Sequence, residues 1–556
     1  MLKCVIILFR KTNNIKTIRF KNFARSLTSD RVTVLTEDTL TGRILHYLSS
    51  TNKIKDHLVL LKDNAVVADS NINQIIKNLN SFDRSVIKNQ YDFKTLVNAF
   101  DNECCRKFRK LNVKETFNLL HTFMEVVPNN ITNYRYFGLA ITHLIKNSHT
   151  LSFKDIVQLI FFVGLLKKSP QSQAMMRKCL KLLDDDAIDH LTKEELCIVC
   201  NSSFKTSTKM QNKYFLEKIR NFICDNLNLL KDPQIFVTFV KTIRHNRGQE
   251  DDFLETISCA VIFNKTYYCY SFPAVGHLLA LYSDHLYYDE KILRLFANQG
   301  IEQLKGCEYT SKYEYFEEQP RSKDIKRFLW ALSNLNFKLS RNDIERVIMP
   351  QIIVRVDNGE FLDDPSILVE IILYLWIMQY KAHNLIDMAL TNNSVTIIRG
   401  EKSLAKERLN LLLTCMYFED RKLFDSIKLR HERGNEYNMN IQLQKRPLLN
   451  RVFDNLKNVY GNSIDRFQFV CQVPYVNIIG IRGFRNKVYK AVNIEVLDEY
   501  TCMKNSDHLP TGLMDLKLRI LDKCDEGLIV IIKEDIEEFS DIELQEFLQE
   551  ELSFVC

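Results

Sequence analysis

Apolar residues recur at helical spacing through most of the chain, in a unit that restarts about every forty residues. Six segments share a short polar start and an apolar helix: LNVKETFNLL from 111, LSFKDIVQLI from 151, LTKEELCIVC from 191, LKDPQIFVTF from 230, YSFPAVGHLL from 270 and RSKDIKRFLW from 321. The starts are 40, 40, 39, 40 and 51 residues apart. A fixed period of this size is typical of a solenoid, in which each repeat buries its apolar face against its neighbours.

A second helical stretch follows each start, so the predicted unit is a pair of helices. The second stretches are residues 133–145, 172–183, 212–223, 253–263, 289–301 and 342–354. Thr192 and Glu195 have the spacing of a capping box at the start of one unit. Two further units are predicted from residues 363 and 404, and polar connections at 306–321 and 431–447.

The period changes after about residue 465. Three β-branched runs, FQFVCQVPYVNIIGIRG, VYKAVNIEVLDEY and EGLIVIIKEDI, are bounded by Gly, Asn and Asp. A helical stretch, LMDLKLRILDKC, precedes the third run, and the acidic stretch SDIELQEFLQEEL follows it. Strands that alternate with helices predict a small α/β module. The expected fold class is therefore mainly α: a solenoid of helix pairs of about 40 residues, followed by an α/β domain.

Composition and motifs argue against an enzyme. The chain has 556 residues, 46% of them hydrophobic and 26% charged, with 15 glycines and 10 prolines. No glycine-rich nucleotide loop, kinase HRD or DFG, GxSxG or HExxH motif is present. Cys197 and Cys200 form the single CxxC, without a second ligand pair, so we interpret them as reduced core thiols. We expect no catalytic residue, no metal and no cofactor.

The first 29 residues are basic and free of acids. Their cations are Lys3, Arg10, Lys11, Lys16, Arg19, Lys21 and Arg25. This pattern predicts a mitochondrial transit peptide over 1–29; a secretory signal and a basic tail are the alternatives. No membrane span is expected, because the longest apolar runs, 156–166 and 367–380, fall short of about 20 residues.

Basic clusters are the candidate functional feature of the remaining chain. Three are found: Arg106, Lys107, Arg109 and Lys110; Lys428, Arg430, His431 and Arg433; and Arg482, Arg485, Lys487 and Lys490. Such clusters can neutralise the phosphates of a single strand, while Phe484 and Tyr489 can stack on unpaired bases. The alternative for each cluster is a solvated loop.

The order of parts resembles the FAST-kinase-domain-containing (FASTK) family. The resemblance is carried by RSKDIKRFLWALSNLNFKLSRNDIERVIMPQI, by DDPSILVEIILYLWIMQYKAHNLID and by the C-terminal α/β module, which is similar to a RAP domain. It implies a restriction-endonuclease-like fold for that module. The expected divisions are a transit peptide at 1–29, a helical array at 70–320, FAST-like segments at 321–395 and 402–460, and a RAP-like domain at 465–553.

The resemblance implies work on RNA in the mitochondrial matrix, in an RNA granule or nucleoid. The expected partners are single-stranded mitochondrial RNA and RNA-processing or ribosomal proteins. The expected RNA-binding residues are Arg482, Arg485, Lys487, Lys490, Lys517 and Arg519, the last two of which fall where the RAP pattern places basic residues.

A nuclease site departs from the expected pattern in this module. Gly480 stands near the first expected acid, and Glu495 is followed by Leu497 where an ExK pattern has lysine. We therefore expect a non-catalytic RNA-binding protein involved in processing, stability or expression of transcripts. The alternatives are a RAP-domain endoribonuclease and a helical protein-interaction scaffold.

Overall fold

The computed structural model describes residues 39–51, 90–307, 320–400, 404–430, 439–459, 464–485, 491–524 and 526–555. The expected leader, most of the connection at 306–321 and residues 431–438 of the second polar connection lie outside the described residues. The chain divides into two compact units. Unit 1 comprises Met1–Ile223 and Gln234–Asn246, and unit 2 comprises Cys224–Pro233 and Arg247–Cys556.

The described part of unit 1 is built of helices. They are α1 Leu40–Thr51, α2 Gln90–Lys107, α3 Val113–Val126, α4 Arg135–Lys146, α5 Phe153–Leu165, α6 Pro170–Leu180, α7 Asp185–Asp189, α8 Lys193–Lys205, α9 Lys213–Asp225 and α10 Pro233–Asn246. Asn112, Ser152 and Thr192 form capping boxes two residues or fewer after the predicted repeat starts. The forty-residue period is therefore confirmed as a series of helix pairs, three of which begin with a capping box.

First helices of successive pairs pack against each other inside unit 1. Helix α5 packs on α8, and Gly164 lies at their closest approach. A Cβ at Gly164 would lie 2.6 Å from Ser202 Oγ, so this approach requires glycine. Cys197 and Cys200 are buried in α8 with free thiols, and burial raises the pKa of Cys200, which confirms their interpretation as core cysteines.

Unit 2 continues the helix pairs. Its helices before the sheet are α11 Asp251–Asn264, α12 Phe272–His285, α13 Glu290–Lys305, α14 Ser322–Asn334, α15 Arg341–Asp343, which runs through π-helical Ile344–Ile348 into α16 Met349–Asp357, α17 Ser366–Ile377, α18 His383–Ala389, α19 Asn392–Gly400, α20 Leu404–Glu419, α21 Arg421–Ile427, α22 Asn440–Leu443 and α23 Pro447–Leu456. Helices α12, α14, α17 and α20 pack in series, and each buries most of its apolar side chains. The packing repeats the arrangement of unit 1.

A four-stranded sheet with flanking helices follows. Its elements are β1 Ile464–Val470, β2 Gly480–Arg485, β3 Ala491–Leu497, α24 Gly512–Asp522, β4 Gly527–Ile532, α25 Lys533–Ile536 and α26 Asp541–Val555. The strand order is β1-β2-β3-β4; β3 pairs with β4 in parallel and the other pairs are antiparallel. One detail of the sequence interpretation was wrong: the run FQFVCQVPYVNIIGIRG is two strands. Tyr475, with φ of 62°, lies in the left-handed region in the turn between them.

The two faces of this sheet differ in chemistry. Ile481, Ile494 and Ile529 belong to an apolar core that also contains Leu449 of α23 and Leu548 of α26. The alternate residues of the strands point to the other face, which is covered by α24. The predicted fold class, helical repeats followed by a small α/β domain, is confirmed.

Helix α24 also contacts the helices α14, α17 and α20 of the same unit. A Cβ at Gly512 would lie 1.7 Å from the Ser333 carbonyl oxygen, so α24 begins directly against the end of α14. Lys504 completes the attachment through its backbone: its N–H donates to Leu286 O at 2.8 Å, and its carbonyl accepts from Tyr288 N at 3.0 Å. The module is thus fastened to the helix pairs of unit 2 by main-chain contacts.

Candidate nucleic-acid interface

Two successive interhelical turns of unit 1 and the end of α10 lie side by side. The turn between α5 and α6 meets the turn between α8 and α9, because Gln173 Nε2 donates to Ser207 O at 3.2 Å. The latter turn meets the end of α10, where Met210 N donates to Asn246 Oδ1 at 2.7 Å. Positions about forty residues apart in the chain therefore form one continuous edge.

This edge is basic and free of acids. Residues 156–183, 196–216 and 233–246, which contain the two turns and α10, include no Asp or Glu. We call the cations in and beside the turns the basic edge; they are Lys167, Lys168, Lys205, Lys209, Lys213, Lys241 and Arg244. Lys167, Lys168, Lys209 and Lys213 are exposed. Neighbouring positive charges without compensating carboxylates attract polyanions.

His245 shows that these charges converge. Its pKa is lowered, first by burial and then by the charges of Lys209 and Lys168, against an opposing hydrogen bond with the Ser207 backbone. Two lysines that act on the same imidazole lie near each other in space, although 41 positions separate them in the numbering. His245 is therefore a neutral side chain at pH 7 within a positive field.

An aromatic ring accompanies the cations. Phe204, half-buried at the end of α8, packs edge to face with His245 at 6.1 Å between ring centroids. Lys241 Nζ lies 6.0 Å from the centre of the Phe204 ring. An aromatic face beside a row of cations is the combination that holds a base and its phosphate.

Sequence inspection for clusters of adjacent cations missed this edge, because each turn contributes two or three. The signal that would have found it is the recurrence of acid-free stretches at the period of the repeat. Of the predicted clusters, Arg106 pairs with Glu103, and the Arg430 carbonyl accepts a hydrogen bond from Arg399 at 2.7 Å. His431 and Arg433 lie outside the described residues.

The predicted basic residues of the C-terminal module separate into two groups. Arg482 and Arg485 lie in β2. The interpretation of this cluster as a loop is therefore wrong for these two residues. Arg482 pairs with Glu526, and Glu526 also accepts a hydrogen bond from Asn493 Nδ2 at 2.9 Å. The Arg482 guanidinium lies 5.6 Å from the centre of the Phe484 ring. The Arg485 side chain and the residues Lys487 and Lys490 lie outside the described part of the chain, so their role stays a prediction.

Lys517 and Arg519 do not belong to an exposed surface, and their assignment as RNA-contacting residues was wrong. Lys517 is completely buried under the sheet, where Nζ lies 2.5 Å from Glu495 Oε1 and donates to Ile478 O at 3.0 Å. Arg519 donates to the carbonyls of Ile377 at 2.9 Å and Trp376 at 3.3 Å. Both cations make interactions that hold α24 between the sheet and the helix pairs.

The buried pair also supplies a lysine that the strand sequence lacks. Glu495 in β3 faces Lys517 in α24, so the helix provides the cation where the strand has Leu497. A Cβ at Gly480 would lie 2.2 Å from Glu495 Oε1, which explains glycine at that position. Burial raises the pKa of Glu495, and the adjacent Lys517 opposes this shift. Among the described residues, no group of His, Cys, Asp and Glu is placed to hold a metal ion.

Two general properties of the described residues concern membrane spans and cysteines. None of those helices is both long and apolar enough to cross a membrane. The described cysteines are free thiols.

Comparison with known proteins identifies relatives. No family model matches the chain. It is similar to FAST kinase domain-containing protein 5, mitochondrial, of Homo sapiens, with 24% identity over 357 residues, which is 64% of this chain and 42% of the relative. The protein of the same name from Pongo abelii is 24% identical over 365 residues, again 64% of this chain and 42% of the relative. That from Mus musculus is 23% identical over 288 residues, 50% of this chain and 34% of the relative.

The chain is similar in sequence to these FAST kinase domain-containing proteins over 50–64% of its length. The matched region spans less than half the length of these relatives.

Proposed function

We propose that this FASTK relative is a mitochondrial RNA-binding protein that holds single-stranded RNA, without cutting it, along the basic edge. It acts in the mitochondrial matrix on the processing, stability or expression of transcripts. The observation that carries the proposal is the contact of two acid-free turns with the end of α10 in unit 1, which places the cations of the basic edge side by side. The mitochondrial names of the relatives support the location.

Single-stranded RNA fits this edge better than duplex. A row of cations matches any phosphate backbone, but the ring of Phe204 adds a surface on which an unpaired base can stack. Arg482, Arg485, Lys487 and Lys490 are a second proposed contact in the RAP-like module, where the Arg482 guanidinium lies 5.6 Å from the centre of the partly exposed Phe484 ring.

The decisive measurement is the salt dependence of RNA affinity for a charge-neutralised variant. Fluorescence anisotropy with a labelled uridine 20-mer would compare the full chain with the double variant Lys168→Gln/Lys209→Gln between 50 and 300 mM KCl. Each lost phosphate contact lowers the slope of log K against log salt by about 0.7 for a single strand. We expect a decrease of about 1.4 and a loss of affinity of at least about tenfold at low salt.

A matched control is available on the same helix pairs. Lys114 and Lys154 are exposed and lie in the first turns of α3 and α5, whereas Lys168 follows the far end of α5. The length of α5, 13 residues, corresponds to about 20 Å. Lys114→Gln/Lys154→Gln removes the same charge and is expected to keep most of the affinity. Equal losses in both variants would contradict a localised edge, and failure of the wild-type chain to bind RNA would favour the scaffold alternative.

A second candidate function, cleavage of RNA by the RAP-like module, is favoured by the juxtaposition of Glu495 and Lys517. Both side chains are fully buried, so substrate access would require α24 to move. Transcript ends mapped in organelles that carry Glu495→Gln or Asp498→Asn decide between the two functions. Altered ends with normal amounts of folded protein support cleavage, and unchanged ends support the non-catalytic role.

A further inference from the structure

A cavity of about 310 Å³ opens in unit 1 among α6, α7 and the beginning of α9. Its inner wall is apolar, with buried Leu183, Ile188 and Phe215. Cavities that hold small ligands have volumes of roughly 300–1,000 Å³, so this one suits a ligand of the smallest class.

Three cations line the same cavity. Arg177 lies in the last turn of α6, Lys181 caps the end of that helix, and Lys209 lies in the turn between α8 and α9. All three side chains are exposed. The ligand that this arrangement complements has a compact apolar part and at least one negative charge at the mouth.

The cavity is continuous with the basic edge. Lys209 belongs to both, and the neighbouring Met210, which lines the cavity, is the residue whose N–H bonds to Asn246 across the adjacent turns. A polyanion that follows the edge therefore passes the mouth of the cavity.

Hydrogen-bonding groups line one part of the wall. Gln211 contributes an exposed side-chain amide. The amide of Asn212 is held by the protein, since Nδ2 donates to Asp185 Oδ1 at 2.7 Å and Oδ1 accepts from Tyr214 N at 2.9 Å. The edge of a nucleobase carries donors and acceptors that amides can pair with, whereas the aliphatic side chain of a peptide carries none. The combination of apolar wall, exposed amide and cationic mouth favours a nucleotide over an acidic peptide.

We infer that this cavity receives one unpaired nucleotide of the RNA bound along the basic edge. The base packs on the apolar wall and pairs with the Gln211 amide, and its phosphate lies between Arg177, Lys181 and Lys209. The inference rests on the proposed function, because the cavity would hold one base of the RNA that lies along the basic edge. RNA affinity would then depend on the bases as well as on the phosphates.

Filling the cavity tests the inference. Gln211 is exposed and lines the cavity, so Gln211→Trp would place an indole in it without replacing a buried residue. The full chain would be titrated with a uridine 12-mer and with a base-free ribose-phosphate 12-mer. A base contact contributes about 1–3 kcal/mol. We expect Gln211→Trp to lose at least about fivefold in affinity for the uridine RNA and to bind the base-free chain as the wild type does.

Two further measurements locate the contact. Uridine RNA that carries 4-thiouridine is expected to crosslink within residues 209–215. Arg177→Gln is expected to weaken both probes, whereas Lys178→Gln, an equal charge change at an exposed neighbour that does not line the cavity, leaves both nearly unchanged. Met210→Trp provides a second filling variant if Gln211→Trp fails to fold.

The outcomes separate the inference from the function on which it rests. If both filling variants bind both probes as the wild type does, or lose both equally, the inference is overturned while RNA binding stands. If a leucine-containing polyglutamate peptide binds the wild type and loses binding in Gln211→Trp while RNA affinity is unchanged, the cavity belongs to a protein ligand, which also overturns it. If the wild type binds neither nucleic acid, the proposed function fails and the inference fails with it.

Discussion

Removal of one partner from the buried pair of Glu495 and Lys517 should destabilise the C-terminal module strongly. Both side chains are fully buried, and Lys517 Nζ lies 2.5 Å from the carboxylate. Lys517→Met leaves the carboxyl group buried without that cation, a change that typically costs about 3–5 kcal/mol. Burial already raises the pKa of Glu495, and loss of Lys517 raises it further. Protonation then limits the penalty, so we expect about 3 kcal/mol.

Native-state hydrogen exchange of the full chain is the suitable assay. A protein of two compact units need not unfold in one step, and exchange reports the free energy of opening for each segment. Amides of β3 and α24 should lose about 3 kcal/mol of protection in Lys517→Met, and amides of unit 1 should be unaffected. The double variant Glu495→Gln/Lys517→Met should recover part of the loss, because it removes both charges.

The exposed end of α24 supplies a control for this prediction. Lys523 is half-exposed and pairs with Glu419 at 3.3 Å, so Lys523→Met should cost less than about 1 kcal/mol. Two results would contradict this prediction. One is that Lys517→Met lowers the free energy of opening as little as Lys523→Met does. The other is that Glu495→Gln/Lys517→Met lowers it by the sum of the effects of Glu495→Gln and Lys517→Met. Either result would mean that the pair is not held in the interior as described.

Three further predictions concern other contacts. Gly512→Ala should destabilise the module by about 2 kcal/mol or more, because its Cβ would lie 1.7 Å from Ser333 O. Gly138→Ala is the control: its Cβ would have no atom within 4 Å, so the substitution should be neutral or stabilising. Thermal unfolding of the two variants compares them. Arg519→Gln should lower the hydrogen-exchange protection of α24 by about 1–3 kcal/mol and leave RNA affinity unchanged, because its donors are spent on backbone carbonyls. Folding lowers the pKa of His245, so the folded state favours the neutral imidazole. The resulting stabilisation is fully present above the unfolded pKa of about 6.5, and it is lost as the pH falls through the folded pKa. A bound phosphate favours the proton, so RNA affinity should rise between pH 7.5 and 5.5 in the wild type and less in His245→Gln, as measured by anisotropy.

Local signals in the sequence predicted the helix pairs well. Asn112, Ser152 and Thr192 each cap a helix that begins at the next residue, and a cap acts within four residues of the chain. Apolar periodicity then identified the packed faces, because a helix must bury its stripe on a neighbour. These properties depend on nearby residues, so the sequence alone was sufficient.

Pairings distant in the sequence were not predictable in the same way. Lys517 seemed a surface cation of α24, since the chain around it gives no sign that Glu495 would lie beneath it. Arg519 was misassigned for the same reason: its acceptors on Trp376 and Ile377 are more than 140 positions earlier. Likewise the edge in unit 1 depends on turns that meet only after the pairs have stacked.

The helix dipole separates the cations that the fold needs from those that it does not. Positive charge is favourable at a helix C-terminus and unfavourable at an N-terminus, by about 0.3–1 kcal/mol per charge. Lys205 and Arg244, in the last turns of α8 and α10, are therefore explained by the helices themselves. Lys168 lies between the end of α5 and the start of α6, and Lys209 between the end of α8 and the start of α9. At such positions the favourable C-terminus and the unfavourable N-terminus offset each other, so the proposed RNA is the reason that we assign to these two charges.

This distinction gives the basic edge a signature that a structural cluster would lack. Lys168→Gln/Lys209→Gln should change the free energy of unfolding by less than about 1 kcal/mol in either direction while RNA affinity falls. A cluster that existed to hold the turns together would lose stability and affinity in parallel. Chemical denaturation of the two double variants beside their RNA titrations measures both quantities on the same protein. A loss of more than about 1 kcal/mol in Lys168→Gln/Lys209→Gln would show that the turns need these lysines for stability, and would contradict their assignment to RNA binding alone.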